Sequence, residues 1–160
     1  MTSDNDYAAV VPAPVGMLGI RMDAGQLVGI DFTPRADALD VSPDGATREV
    51  LDQLFHYFED PHWRFDLPIA MGGTPFQRRV WEALRRIPPG STCSYGELAR
   101  ALESSPRAVG GACRRNPVPI VVPCHRVIAA GGGAGGFMGQ REGDALSIKV
   151  WLLDHERRDP

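Results

Sequence analysis

The spacing of apolar residues changes near residue 73, and this change limits the folds open to the chain. Before it, Val15–Met22 and Gln26–Phe32 alternate loosely between apolar and polar residues, which predicts a β-hairpin. Thr47–Glu59 has apolar residues at helical spacing, and Trp63–Ile69 alternates again. We therefore expect one helix and a third strand that closes a small antiparallel sheet.

Beyond Ala70–Gly73, which we interpret as a linker, the apolar spacing is helical and the helix starts are marked. Thr74-Pro75 predicts an N-cap followed by proline in the first turn. Ser94 with Glu97 predicts a capping box, and Ser105-Pro106 begins a further short helix. These last two helices and their short connection resemble a helix-turn-helix.

Length and composition fit a globular protein. The chain has 160 residues, of which 43% are apolar and 23% charged, so it can bury a core. The expected fold is α+β, with an N-terminal α/β lobe at 1–72 and a mostly helical C-terminal lobe at 73–160. No stretch reaches the roughly 18 apolar residues of a membrane span. Met1–Asp6 is too acidic for a signal peptide, so we expect a soluble cytoplasmic protein.

The cysteines, Cys93, Cys113 and Cys124, are too few and too unevenly placed for a disulfide framework. The sequence has no Cys-x-x-Cys or His-x-x-x-His pair, so no metal site and no cofactor are predicted. Either thiol chemistry or ordinary buried thiols remain.

The net charge of −3 conceals an uneven distribution. Residues 76–126 carry nine arginines and three acids, so this segment has a charge of +6 and the rest of the chain −9. A basic segment of this kind suits a polyanion, because arginine has a fixed charge and a planar fork that matches phosphate. Solvated helix faces are the alternative interpretation.

The helix predicted at 107–115 has almost no side-chain bulk on part of its surface. Two adjacent glycines, Gly110 and Gly111, lower helix stability and need a reason. One reason is tight packing against a neighbouring helix. The other is close approach to a nucleic-acid groove, with arginines on either side to bind phosphates.

The segment 116–128 carries the predicted chemistry. Cys124 follows an apolar run, Ile120–Val122, and precedes His125 and Arg126, an arrangement that would shift the thiol towards thiolate. His125 is a candidate general base and would need an acid to orient it. The acidic candidates are Asp144, Asp154 and Glu156. The alternative is a buried core cysteine beside a surface histidine.

Several motifs in this half of the chain resemble those of the O6-alkylguanine-DNA alkyltransferases, the methylated-DNA–protein-cysteine methyltransferases. The resemblance covers residues 73–156 strongly and 12–69 weakly. The motifs follow the family's order: Gly73–Trp81, Ser94–Ala99, Arg107–Ala112, Asn116–Pro119, Pro123-Cys-His-Arg-Val127 and Trp151–Glu156.

The resemblance implies roles for four catalytic residues. Cys124 accepts the alkyl group, and His125 takes the thiol proton through a water molecule. Glu156 orients and polarises His125, while Asn116 braces the turn that holds the site. The implied N-terminal lobe is RNase H-like, and the C-terminal lobe holds the helix-turn-helix and the active-site loop.

The resemblance also implies a set of residues that bind DNA or the flipped nucleotide. Arg107 enters the base stack. Tyr95 reaches the flipped base or its adjacent phosphate and helps guanine to leave as a neutral group. The carbonyl groups of Cys124 and Val127 accept from the exocyclic amine of guanine. The remaining members of the set are Ala108, Gly110, Gly111, Arg114, Arg115, Pro119, Arg126, Phe137 and Met138.

The implied function is direct-reversal DNA repair. The protein would flip an O6-alkylguanine out of duplex DNA, bind the minor groove and transfer the alkyl group irreversibly to Cys124, as a monomeric single-turnover enzyme. Its partner is double-stranded DNA, without cofactor or membrane; activity on O4-alkylthymine and side-by-side assembly on DNA are left open.

Two departures and two alternatives accompany this resemblance. Phe137 and Met138 stand where family members often have tyrosine and serine, which changes the pocket wall. The connection at 140–147 is longer than in the shortest family members. A damage sensor with an inert Cys124 and a cysteine hydrolase using Cys124 and His125 are the competing functions. Only alkyl transfer requires both Cys124 and Arg107.

Overall fold

The computed structural model describes residues 7–32, 44–129 and 144–158. Three strands and one helix precede residue 60, and four helices follow it, with a 3₁₀ turn at Cys124–Arg126. The elements are β1 (Ala9–Ala13), β2 (Gly16–Asp23), β3 (Gln26–Phe32), α1 (Gly45–Glu59), α2 (Pro75–Arg85), β4 (Cys93–Ser94), α3 (Tyr95–Ala101), α4 (Pro106–Arg114), β5 (Val127–Ile128) and α5 (Asp144–Glu156).

The N-terminal sheet is antiparallel with the strand order β1-β2-β3, which confirms the predicted hairpin. The prediction that Trp63–Ile69 is the third strand is wrong, because β1 takes that place. Only one parallel bridge joins Leu27 to Ile69. The Leu27 N–H donates to the Pro68 carbonyl at 2.9 Å, but Pro68 has no N–H with which to extend the ladder.

Helix α1 begins two residues before the predicted start, where the Asp44 side chain accepts from the Thr47 N–H. The helical spacing of the apolar residues places Phe55 on the same face as Val50, Leu51, Leu54 and Phe58. In the structure Phe55 is 43% exposed, whereas Tyr57 is fully buried. A buried tyrosine needs a hydrogen-bond partner for its hydroxyl, and the partner of Tyr57 lies in the other half of the chain.

The predicted caps are confirmed in the helical half. Thr74 and Gln77 form a capping box at α2, as do Ser94 and Glu97 at α3, and Ser105 caps α4. Helices α3 and α4 pack together as the helix-turn-helix. Trp81 of α2 is buried, and its indole N–H donates to the Ala112 carbonyl at 2.9 Å, which ties α2 to α4.

The buried apolar residues of both halves form one connected core. Polar contacts also cross between the halves, since the Ile30 N–H of β3 donates to the Pro117 carbonyl at 2.9 Å. A further link joins β4 to β5, which pair in parallel as Cys93 with Val127 and Ser94 with Ile128. The division into lobes at residue 72 stays a prediction.

Gly73, in the connection between the two halves of the chain, packs directly against the Trp81 ring. Its φ is +142°, and an added Cβ would lie 2.7 Å from the Trp81 ring. We expect Gly73→Ala to lower the free energy of unfolding by about 1–3 kcal/mol. The control is Gly72→Ala, since a Cβ there meets nothing within 4 Å; it should change stability by less than about 0.5 kcal/mol. Urea unfolding measures both, and equal effects would contradict the prediction.

Candidate active site

The Asn116 side chain organises the turn that leads to Cys124. Its amide donates to the Val122 carbonyl at 2.8 Å and accepts from the Val118 N–H at 2.9 Å. The apolar run at 120–122 forms a turn and not a strand. Ile120 has a φ of +73°, a conformation that a β-branched residue adopts only when its surroundings impose it.

The Cys124 thiol is buried and neutral at rest. Burial raises the pKa of Cys124 to about 11, although a hydrogen bond from Asn116 and the charge of Lys149 oppose the rise. This corrects the expectation of a thiolate. The cause is burial, which the hydrogen bond from Asn116 and the charge of Lys149 do not outweigh. The two neighbours that the sequence suggested add little, because His125 is neutral and Arg126 is paired with Glu156.

His125 presents one free ring nitrogen. It is completely buried, and its Nε2 lies 2.7 Å from Glu156 Oε2. Because a carboxylate only accepts, Nε2 carries the hydrogen and Nδ1 is left as an acceptor. Within the described residues Nδ1 has no hydrogen-bond partner. Burial lowers the pKa of His125 despite the opposing effect of Glu156, so the ring is neutral. A neutral ring has a lone pair at Nδ1 that can accept a proton.

Glu156 is the acid that orients this histidine. Arg126 donates to it twice, from Nε to Oε1 at 2.8 Å and from Nη2 to Oε2 at 3.0 Å. Burial alone would raise the pKa of Glu156, but hydrogen bonds from His125 and Arg126 outweigh it and hold the pKa well below its usual range. Asp154 is exposed and faces Arg157 instead, and the Asp144 side chain lies outside the described residues.

Arg126 does not fit its predicted place in the DNA-binding set. The side chain is only 7% exposed, and its third contact is from Nη1 to the Ile87 carbonyl at 2.6 Å. All of these acceptors are internal to the protein. Arg126 therefore compensates the buried charge of Glu156, which a solvated guanidinium in a groove could not do.

Two residues of this site were not predicted from the sequence. Tyr57 donates its hydroxyl hydrogen to Glu156 Oε2 at 2.7 Å. Lys149 is completely buried, donates to the Val127 carbonyl at 2.7 Å, and has its Nζ 5.7 Å from the centre of the Tyr95 ring. Burial lowers the pKa of Lys149 to about 8. The only available signal was that this is the single lysine of the chain.

Val127 and Pro119 are both buried beside the site. A carbonyl oxygen has two lone pairs, so the Val127 carbonyl can accept from a guanine amine as well as from Lys149. That role stays a prediction, as does the role of the Cys124 carbonyl. Phe137, Met138 and the glycine-rich segment at 131–139 lie outside the described residues.

Gly110 and Gly111 of α4 face open space in the part of the chain that the structure describes. A Cβ added to either would meet none of the described residues within 4 Å, so tight packing against a described helix does not explain these glycines. Arg107, Arg114 and Arg115 are exposed around them. The face is therefore free to approach a large partner closely.

A separate open cleft of about 780 Å³ lies between the β2–β3 turn and α2, with Val28, Met71 and Trp81 on its walls. Arg115 reaches its rim, but neither Cys124 nor His125 lines it. It is therefore not the site of the thiol chemistry.

Fold and site together define a helix-turn-helix protein with a buried cysteine beside a histidine–glutamate pair. Residues 75–158 match the family model described as the DNA-binding domain of 6-O-methylguanine DNA methyltransferase. A methylated-DNA–protein-cysteine methyltransferase of Methanosarcina acetivorans is 38% identical over 94% of this chain and 97% of its own length. The constitutive enzyme of that name from Bacillus subtilis is 45% identical over 68% of this chain and 65% of its own.

Solved structures agree with the sequence comparison. Mycobacterium tuberculosis O6-methylguanine methyltransferase has a TM-score of 0.80 and 37% identity, over 94% of this chain and 93% of that one. The complex of M. tuberculosis OGT with DNA has a TM-score of 0.77 and 35% identity, over 92% of this chain and 91% of that one. The chain belongs to the methylated-DNA–protein-cysteine methyltransferase family.

The buried ion pair makes stability depend on pH in a defined direction. We expect Glu156→Gln to lower the free energy of unfolding at pH 7 by about 3–5 kcal/mol, because Arg126 keeps its charge and loses its partner. The pKa of Glu156 is lowered on folding, so this contribution is present above the unfolded pKa and is lost as pH falls through the folded pKa. The difference between wild type and variant should therefore shrink in acid.

Urea unfolding from pH 7 downwards measures this difference. The control is Asp154→Asn, which removes an exposed carboxylate 3.6 Å from Arg157 and should matter little at any pH. A Glu156→Gln effect that stayed constant down to the acid limit would contradict the assignment of the charge to Glu156.

Proposed function

We propose that the protein repairs DNA by direct reversal, moving the alkyl group from the O6 oxygen of an alkylated guanine to Cys124 Sγ. The observation that carries this proposal is the order of buried groups: a neutral thiol, an adjacent imidazole with a free Nδ1, and a carboxylate that holds Nε2. Family membership supplies the reaction class.

The first step removes the proton from the thiol. It passes through a water molecule to His125 Nδ1, and Glu156 stabilises the resulting imidazolium through Nε2. The Cys124 sulfur then attacks the alkyl carbon, forming a C–S bond as the C–O6 bond breaks. The electron pair of the broken bond stays on the guanine.

Guanine leaves as a neutral base if it gains one proton. Tyr95 supplies it, since burial raises the pKa of Tyr95 to about 12 and the hydroxyl therefore still carries its hydrogen when the base is bound. The proton held by His125 then replaces the one that Tyr95 has given, so both side chains return to their starting state. The net change is an alkyl group in place of the thiol hydrogen and a hydrogen on guanine.

A buried thiol requires the nucleotide to leave the duplex. Flipping costs a few kcal/mol, and a side chain that fills the gap offsets part of this cost. Arg107 is exposed in the first turn of α4, next to the open face formed by Ala108, Gly110 and Gly111. We assign Arg107 to the gap, and Arg114 and Arg115 to the phosphates.

The product explains why one molecule would act once. A thioether is a poor leaving group, so Cys124 cannot pass the alkyl group to water and the protein is consumed. Neither a cofactor nor a metal takes part in this chemistry, and no obligate protein partner is proposed. Double-stranded DNA containing O6-alkylguanine is the substrate, with O4-alkylthymine and side-by-side assembly on DNA as further possibilities to test.

A cytoplasmic location belongs to the same proposal, because all three thiols are free and suit a reducing compartment. Among the helices that the structure describes, none has the length and apolar character to cross a membrane.

Mass spectrometry tests the transfer directly. After incubation with duplex DNA containing O6-methylguanine, we expect one methyl group in place of one hydrogen, located on Cys124, with no second turnover. Cys93 provides the control because it is more exposed than Cys124, yet its peptide should remain unmodified. Cys93→Ser should react normally and Cys124→Ser should not react. Tight, damage-selective DNA binding without any mass change would favour a damage sensor instead.

The open face of α4 yields a second test. Gly110→Ala should raise stability by about 0.5–1 kcal/mol, because alanine favours the helix and its Cβ meets nothing in the free protein. If this face enters a DNA groove, the same methyl group should weaken DNA binding by about tenfold, or 1.4 kcal/mol. Gly45→Ala is the control: it also adds a Cβ in open space but lies on α1. Equal DNA binding by both variants would exclude α4 from the interface.

A further inference from the structure

The hydroxyl of Tyr57 reaches the catalytic carboxylate from the other half of the chain. It donates to Glu156 Oε2 at 2.7 Å across 99 residues of sequence. Burial, followed by the negative charge of Glu156, raises the pKa of Tyr57, so the hydroxyl keeps its hydrogen at and above neutral pH. It is therefore a permanent, neutral donor.

The position of this donor is fixed by its surroundings. His155, next to Glu156 on α5, has its Nε2 2.7 Å from the Tyr57 carbonyl oxygen. The ring itself packs against the rings of His155 and Phe65, with centroid distances of 5.1 and 5.4 Å. A side chain confined in this way cannot turn its hydroxyl elsewhere, so it restrains the carboxylate.

We propose that Tyr57 is a positioning residue for the alkyl transfer, through which the N-terminal half sets the orientation and acceptor strength of Glu156. The inference rests on the proposed function and adds to it a residue that touches neither DNA nor the thiol. It gives α1 a part in the chemistry as well as in the fold.

Three donors share the Oε2 atom of Glu156. That oxygen accepts from the Tyr57 hydroxyl, from His125 Nε2 and from Arg126 Nη2 at 2.7, 2.7 and 3.0 Å. Each donor disperses part of the negative charge. Without the Tyr57 hydroxyl, more of that charge acts on His125 and the carboxylate has one restraint fewer.

A stronger pull on Nε2 makes His125 more basic. The charged and titratable groups around His125 are Glu156, Arg126 and Lys149, with the Cys124 thiol beside it and Tyr57 reaching it only through Glu156. Only neutral His125 can take the thiol proton, so the acid limb of the rate profile reports its pKa. Loss of the hydroxyl should therefore move that limb to higher pH.

Tyr57→Phe removes the hydroxyl and keeps the ring. The matched control is Tyr7→Phe, since Tyr7 also donates to a carboxylate, Asp31 Oδ2 at 2.8 Å, but lies just before β1 and has no contact with Glu156 or His125 among the hydrogen bonds of the described residues. Single-turnover methyl transfer from O6-methylguanine DNA is measured across pH for wild type and both variants, with DNA affinity and thermal unfolding measured in parallel.

We expect Tyr57→Phe to bind DNA normally, to react about tenfold more slowly near neutral pH, and to show the acid limb at higher pH. Tyr7→Phe should match wild type in rate and profile. A rate for Tyr57→Phe equal to wild type, or reduced by one constant factor at every pH, would overturn the proposal, because a merely structural role does not move the limb.

Site-specific 3-fluorotyrosine at position 57 covers the case in which Tyr57→Phe does not fold. Fluorine makes the hydroxyl a stronger donor, so the acid limb should move to lower pH, opposite to the effect of removing the hydroxyl. An unmoved limb would refute the role of Tyr57 while leaving wild-type transfer intact. If wild type itself failed to transfer the methyl group, the proposed function would fall and this inference with it.

Discussion

The buried carboxylate of Glu156 is the interaction on which the rest of the site depends. A charge without solvent is tolerated only when it is compensated, and Arg126 compensates it through two hydrogen bonds. Arg126 in turn is anchored by the Ile87 carbonyl beyond the end of α2. Three separate parts of the chain, α1, the 3₁₀ turn at Cys124–Arg126 and α5, therefore meet at one carboxylate. Removing either the carboxylate or the guanidinium would leave the other as an uncompensated buried charge.

This arrangement keeps the reactive groups inactive until a substrate arrives. The charged groups of the resting site are Glu156, Arg126 and Lys149, while burial keeps the Cys124 thiol protonated and His125 neutral. A permanent thiolate would react with any small electrophile that entered the site. A neutral thiol with a waiting base is ionised only when the alkyl group is in place, which suits a protein that can react once. Selectivity thus follows from the same burial that lowers the intrinsic reactivity.

Sequence reasoning succeeded where the determining interactions are local. The caps at Thr74, Ser94 and Ser105 lie within three residues of their partners, and the hairpin turn is equally short. It missed β1, which pairs with the neighbouring β2 but contains Pro12, a residue that weakens the strand pattern. It also missed the contact of Tyr57, whose partner lies 99 positions away. The expected thiolate failed for a related reason, since the charge state of Cys124 depends first on how deeply the folded chain buries the thiol.

The glycines of α4 show how function can be inferred from a stability loss that the molecule itself does not explain. Each glycine within a helix lowers stability by roughly 1 kcal/mol relative to alanine. Elsewhere in the chain, Gly73 and Gly19 have internal reasons, because an added Cβ would collide with Trp81 or Tyr7. For Gly110 and Gly111 the described residues supply no such reason, since none of them lies within 4 Å of an added Cβ. A DNA groove that approaches the helix backbone more closely than a methyl group allows would supply it.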